Sequence, residues 1–410
     1  MLDLVKIAAV FALVLGLLRL RWNLGLAMLI GAAVLGALMG FGPVEILTTA
    51  AQASVDTTAV SLMVALALIM VLEHVLRTTE TLKMLVDSLQ RLLGDNRVVM
   101  ALMPAIIGIL PSAGGARFSA PLVEESANGC LVGADRKSFI NYWFRHIWEY
   151  VSPLYPGFIL TAAMTGMSMG RLFVWQAVFP LTVLLVGTFY GFRGVHPAPH
   201  PRSADRARDL RRLLASFGPI LAVMMLVMVL GVDIALALTG VVATLFLLHR
   251  YSLRRIAATL RESVSVKTLL LVLGVLVFKG MLEDSGAVNT LPRALESAGV
   301  PVVAILFLLP FVVGLMTGIT VAYVGITFPL ILPLIGGASG PDPAMLAFAF
   351  ASGFAGVMFS PVHLCLVLTK DYFRSSFTPI YRTMLVPEGL VVMVALIQVL
   401  VFDAGKALGG

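Results

Sequence analysis

The residues best able to do chemistry fall at four interruptions of long apolar runs. Two are turns of small and hydroxyl residues. One is Ser112-Ala113-Gly114-Gly115, with Arg117 and Ser119 just beyond; the other is Thr317-Gly318-Ile319-Thr320. The other two are Ser-Pro steps, Ser152-Pro153 and Ser360-Pro361, the second followed by His363. Proline lacks an N–H and glycine loses the most backbone entropy on ordering, so a helix does not run through such stretches. In a lipid-embedded chain the freed peptide groups find partners only inside protein or around a water-filled cavity. Half-helix N-termini then offer N–H groups and partial positive charge to an anion, and unwound carbonyls offer oxygens to a cation. The bland alternative is that the small residues only let helices pack closely.

Ionisable residues stand beside these breaks. A charge at mid-bilayer costs roughly 3 kcal/mol or more, so Arg117 needs a carboxylate or an anionic ligand. Glu124, Glu125 and Glu149 are its candidate pairs, and it is the expected anion partner. His146 and Glu149 share a helix face at i, i+3, just before Ser152-Pro153 and next to Arg145. His146, Glu149 and Glu125 therefore form the candidate set for proton or ion coupling, since imidazole titrates near neutrality. If they lie near the interface, Arg145 and His146 simply snorkel. His363 reads either as a ligand or as a cap on freed carbonyls. Cys130 and Cys365 stand far apart in apolar surroundings without metal-ligand spacing, so neither a disulfide nor a metal centre is expected. HExxH and P-loop patterns are absent, which speaks against a zinc hydrolase and against ATP drive within this chain.

The elements that must position these residues follow from composition. Of 410 residues 59% are hydrophobic and 12% charged, with mean hydropathy +0.99. Soluble domains carry about 25% charged residues, so an all-α polytopic membrane protein is expected. The apolar run at the N-terminus lacks a cleavage site and reads as a first membrane helix. Continuous spans are expected near 5–20, 24–40, 59–76, 172–190, 214–231, 234–249, 268–282 and 386–402. Segments 138–165 and 344–369 read as broken spans, and 98–128 and 300–335 as re-entrant hairpins. Three stretches, 42–58, 77–97 and 250–267, suit amphipathic interfacial helices. The net charge of +7 clusters between apolar runs, a topology signal and not a nucleic-acid footprint. Placing those basic loops inside gives ten spans in the cell (inner) membrane, a cytoplasmic linker at 193–212, and both termini outside.

The halves match in order. Pro104 and Gly108 fall on Pro310 and Gly314, Pro111 on Thr317, and Ser152-Pro153 on Ser360-Pro361. Five spans per half make the second copy enter the membrane in the opposite sense, an inverted repeat. Matching helix breaks in such repeats point to a transporter's binding site.

The layout and the stretches ILPSAGGARFSAPLVEE (109–125) and NYWFRHIWEYVSPLYPG (141–157) resemble the ion transporter superfamily, which includes citrate, gluconate and sodium–dicarboxylate permeases. Within it they are similar to an uncharacterised bacterial and archaeal integral-membrane family. The resemblance implies a homodimer whose protomers each have a scaffold and an elevator-type transport domain. On that pattern 1–96 and 213–297 form the scaffold, and 97–192 and 298–410 the transport part. The tips lack the Ser-Asn-Thr of the sodium–dicarboxylate branch. The expected function is secondary active transport of a small anionic, carboxylate-bearing solute, coupled to Na+ or H+, with Na+ as the one candidate bound ion. The alternatives are a cation/proton antiporter and, further off, an intramembrane enzyme acting on a lipid-linked substrate.

Overall fold

The computed structural model describes residues 2–20, 22–111, 115–197, 205–286, 299–337 and 340–408. Ser112, Ala113 and Gly114 thus lie outside the described residues. The described chain is all-helical apart from one short antiparallel pairing, β1 (Gly336–Gly337) with β2 (Gly340–Pro341).

The first half contains α1 (Leu2–Arg19), α2 (Leu24–Leu38), α3 (Pro43–Val55), α4 (Thr57–Thr78), α5 (Thr81–Leu92), α6 (Asn96–Ile107) and α7 (Gly115–Ser126). It continues with α8 (Ala134–Arg145), a 3-10 turn (Ile147–Tyr150), α9 (Pro156–Thr165), α10 (Met169–Gln176) and α11 (Val178–Phe192). The second half holds α12 (Arg206–Met224, ending in a π turn), α13 (Ile234–Leu248), α14 (Leu253–Ser263) and α15 (Val266–Asp284). It ends with α16 (Val302–Thr317), α17 (Thr320–Ile335), α18 (Pro343–Met358), α19 (Leu364–Phe373) and α20 (Phe377–Leu408). Many helix starts are set locally. The side-chain oxygens of Asn23, Asp56, Asp95, Asp233 and Asp342 each accept an N–H of the first turn that follows.

The expected arms form as helices α3, α5 and α14, the last bent by 61° from α15. Four helical runs among the described residues are long and apolar enough to cross a membrane on their own. These are Thr57–Thr78, Met169–Phe192, Arg206–Val229 and Phe377–Phe402, with α14–α15 a fifth if the bent pair is one span. Helices α2, α13, α16, α17 and α18 are apolar but shorter. Their outer faces suit lipid. In α11, for instance, Leu181, Leu184, Leu185 and Phe189 are exposed while Phe179 and Val183 are buried.

Packing is close where glycines meet backbone. A Cβ on Gly25 would strike the Leu270 carbonyl, and one on Gly274 the Gly25 carbonyl, so α2 and α15 touch main chain to main chain. Gly314 and Gly356 do the same between α16 and α18. The pairings are reciprocal across the halves. Helix α2 lies on α15 and α13 on α4; α3 lies on α15 and α14 on α4; α17 lies on α9 and α7 on α19.

Candidate functional site

Both expected breaks are present, and each is closed by a side chain two residues past its proline. After α8 the chain turns through the 3-10 segment, and Ser152 Oγ accepts the Leu154 amide at 3.2 Å. The Tyr155 hydroxyl then donates to the Gly108 carbonyl at the end of α6. At the second break α18 ends at Met358 and α19 resumes at Leu364. There His363 Nδ1 lies 2.7 Å from the Gly318 carbonyl. Gly318 ends α16 at φ +64°, and Ile319 is extended before Thr320 opens α17. The left-handed turn explains the glycine, because a Cβ there would be strained and 2.9 Å from both the His363 amide and Ser360 Oγ.

These breaks meet. His146 Nε2 stands 3.1 Å from His363 Nε2. His146 Nδ1 is 2.6 Å from the Tyr142 carbonyl, and Tyr142 sets its ring edge-on against both imidazoles. Glu149 bridges the halves: Oε1 is 3.7 Å from His146 Nε2, and Oε2 accepts the Thr320 hydroxyl at 2.8 Å. Arg145, His146, Glu149, Ser152, Thr320, Ser360 and His363 are all buried. Gly157, one residue into α9, packs directly on Thr320 at the start of α17. The start of α17 thus meets the Glu149 carboxylate through Thr320, with the start of α9 against Thr320 at Gly157 and the start of α19 joined to the cluster through His363 and His146. A separate cavity of about 370 Å³ lies between α4, the α14–α15 bend and the start of α9, lined by Glu73, His74, Arg77, Pro111, Pro156 and Glu262. Glu73 and Arg77 form an ion pair on its wall.

Several expected site residues lie elsewhere. Helix α7 turns Ala116, Ser119, Ala120 and Val123 inward, an i, i+3, i+4, i+7 stripe. Arg117 and Glu125 are consequently exposed, so neither reaches the cluster. Glu124 pairs with Lys137 at 2.7 Å, not with Arg117. Ser119 Oγ turns back on its own helix, 3.4 Å from the Gly115 carbonyl and 3.3 Å from that of Ala116. Thr317 Oγ1 is satisfied by Val313 O at 2.8 Å. Pro153 is buried whereas Pro361 is exposed. Gly115 is buried at the start of α7. Tyr323 donates to the Phe350 carbonyl at 3.0 Å within the core.

The expectation of no metal-ligand set also changes. His146, His363 and Cys365 present ligand atoms all within 4.8 Å of one another, while Cys130 lies apart on a loop. No spacing rule finds this set, because His146 and His363 are 217 residues apart. Arg145 was legible only as an interfacial charge, yet it is 3% exposed. Glu388 belongs to none of the interruptions. It is a lone carboxylate in the last apolar run, 1% exposed, and that isolation was its signal.

The family model described as "Protein of unknown function (DUF401)" matches residues 3–402. The chain belongs to the DUF401 family. Comparison with curated proteins finds no match. In this DUF401 member the family region takes in both breaks, the second turn, every residue of the cluster and the cavity beside α4. The cluster can hold an anion at three helix N-termini, or a cation at Glu149 and the unwound carbonyls.

Proposed function

We propose that this DUF401 protein is a secondary active transporter of a small anionic, carboxylate-bearing solute. The single observation that carries this is the convergence of the broken-helix ends of α9, α17 and α19 on one buried polar cluster. Discontinuous helices with N-termini aimed at a common point are how secondary transporters hold anions. The reciprocal helix pairings support an inverted repeat, and matching caps at Tyr155 and His363 support equivalent breaks in its two copies. The 370 Å³ cavity is of a size for a small solute, as ligand sites begin at roughly 300 Å³. Arg77, paired with Glu73, and His74, 3.9 Å from Glu262, are the basic side chains on its α4 wall that a carboxylate would engage by exchange. The cavity borders α4 on one side and the start of α9 on the other, which supports a seam between a scaffold and a moving transport part. An elevator working in a homodimer, coupled to Na+ or H+ in the inner membrane with the 193–212 linker cytoplasmic, completes the proposal.

One observation favours a second reading, a cation/proton antiporter. The Glu149 carboxylate already fills the positive ends of the helices, and beside Thr320 and the Gly318 carbonyl it offers oxygens to a cation.

Thermal-shift screening of purified protein against organic anions, with and without Na+, followed by uptake in proteoliposomes, tests both. A carboxylate is expected to stabilise the protein and to accumulate against its gradient. Arg77→Gln should cut apparent affinity by roughly tenfold or more, the value of a charged hydrogen bond, with the fold intact. Stabilisation by cations alone, with no anion uptake, moves the antiporter ahead.

A further inference from the structure

We infer that His146 Nε2, His363 Nε2 and Cys365 Sγ form a binding site for one thiophilic transition-metal ion of the Zn2+ or Cu+ class, with Glu149 at its edge. Tautomer logic leads there. Each Nδ1 faces a backbone carbonyl, at 2.6 Å from Tyr142 O and 2.7 Å from Gly318 O. A carbonyl oxygen only accepts, so both Nδ1 atoms carry hydrogen. In the neutral rings the two Nε2 atoms are then bare lone pairs, pointed at each other across 3.1 Å. Two acceptors at that distance repel unless a proton or a metal ion lies between them. Backbone carbonyls on Nδ1 are also the usual support that orients a metal-bound imidazole.

The third donor decides which cation. Cys365 places sulfur within 4.8 Å of both imidazole nitrogens, and thiolate with imidazole selects soft and borderline metals over Na+, Mg2+ or Ca2+. The spacing fits as well. Nitrogen ligands at 2.0–2.1 Å from a tetrahedral zinc are about 3.3 Å apart, close to the 3.1 Å between these atoms. Glu149 Oε1, 3.7 Å from His146 Nε2, is a carboxylate oxygen at the edge of the site. On binding, the Cys365 thiol releases its proton and the two Nε2 lone pairs coordinate, while both Nδ1 protons stay on their carbonyls. Thiolate and Glu149 carboxylate supply two negative charges, set against the ion and the buried Arg145 guanidinium that faces Cys365. The ion ties the first break, through His146, to the second break and the Gly318 turn, through His363. None of this depends on which solute, if any, is transported.

The test uses full-length protein in detergent, stripped with a chelator and titrated with Co2+ or Zn2+ alone. One equivalent is expected to bind. Co2+ should give tetrahedral visible bands and a near-ultraviolet thiolate-to-cobalt transition. Cys365→Ser should abolish that transition and Cys130→Ser should keep it. His363→Gln should weaken affinity at least as much as losing a supporting group does, about 10–100-fold. Unmutated protein gives an independent readout should the variants not fold: Zn2+ should shield Cys365, and not Cys130, from maleimide, as mapped by mass spectrometry. Absence of binding, a thiolate band that survives in Cys365→Ser, or equal labelling of both cysteines with and without Zn2+ overturns the site.

Discussion

At the scale of single residues, the cluster depends on one hydroxyl that crosses between the halves. The Thr320 hydroxyl donates at 2.8 Å to Glu149, whose residue is 8% exposed. A buried carboxylate deprived of a donor carries its desolvation cost uncompensated, about 1–3 kcal/mol. Thr320→Val, which keeps the shape, should therefore lower the unfolding temperature in detergent, and Thr320→Ser should restore most of the loss. Equal stability of the two variants would mean that Glu149 finds another donor.

At the scale of elements, the turn between α16 and α17 is set by conformation and by contact together. Gly318→Ala forces a Cβ into left-handed backbone, about 1–2 kcal/mol, and presses it on the His363 amide. The expected result is a destabilised protein whose second hairpin exchanges its amide hydrogens faster than α2 or α15. Asp95, at the start of α6, gives a pH-dependent counterpart. The Arg97 side chain, then its amide, hold the Asp95 carboxyl below its ordinary value. Asp95→Ala should thus cost about 1 kcal/mol near neutrality, the worth of an N-cap. A lowered carboxyl pKa stabilises above the unfolded value, about 3.9, and loses its effect as pH falls through the folded one. The gap in melting temperature between native and variant protein should be full at pH 7 and shrink toward pH 3.

At the scale of the whole molecule, the halves are joined by main-chain contact, and many large apolar side chains lie exposed on the outside. Helices α2 and α15 meet at Gly25 and Gly274 with no room for a Cβ. Overpacking commonly costs 1–3 kcal/mol even where flexible side chains can yield, and here the obstacle is backbone. Gly274→Leu is expected to abolish a monodisperse peak on size exclusion, whereas leucine at Gly16, which has open space, should leave it unchanged. Native mass spectrometry of the same preparations reads the proposed dimer directly.

The amino-acid sequence determined the helical, apolar character of the chain and the places where its helices stop. Those are largely local matters: Ser152-Pro153, Gly318 and Ser360-Pro361 disfavour a helix by their own chemistry, although Pro104, Pro310 and Pro329 are carried inside helices where packing supports them. It also placed His146, Glu149, Thr320 and His363 next to breaks. Which faces turn inward was decided by tertiary packing. The face that α7 turns inward leaves Arg117 and Glu125 outside, although Arg117 is closer in sequence to the first turn than the buried Ser119 is. Packing alone brought Cys365 and His363 to His146, across 217 residues between the histidines, since a helix's buried stripe depends on the partner it meets and not only on its own composition.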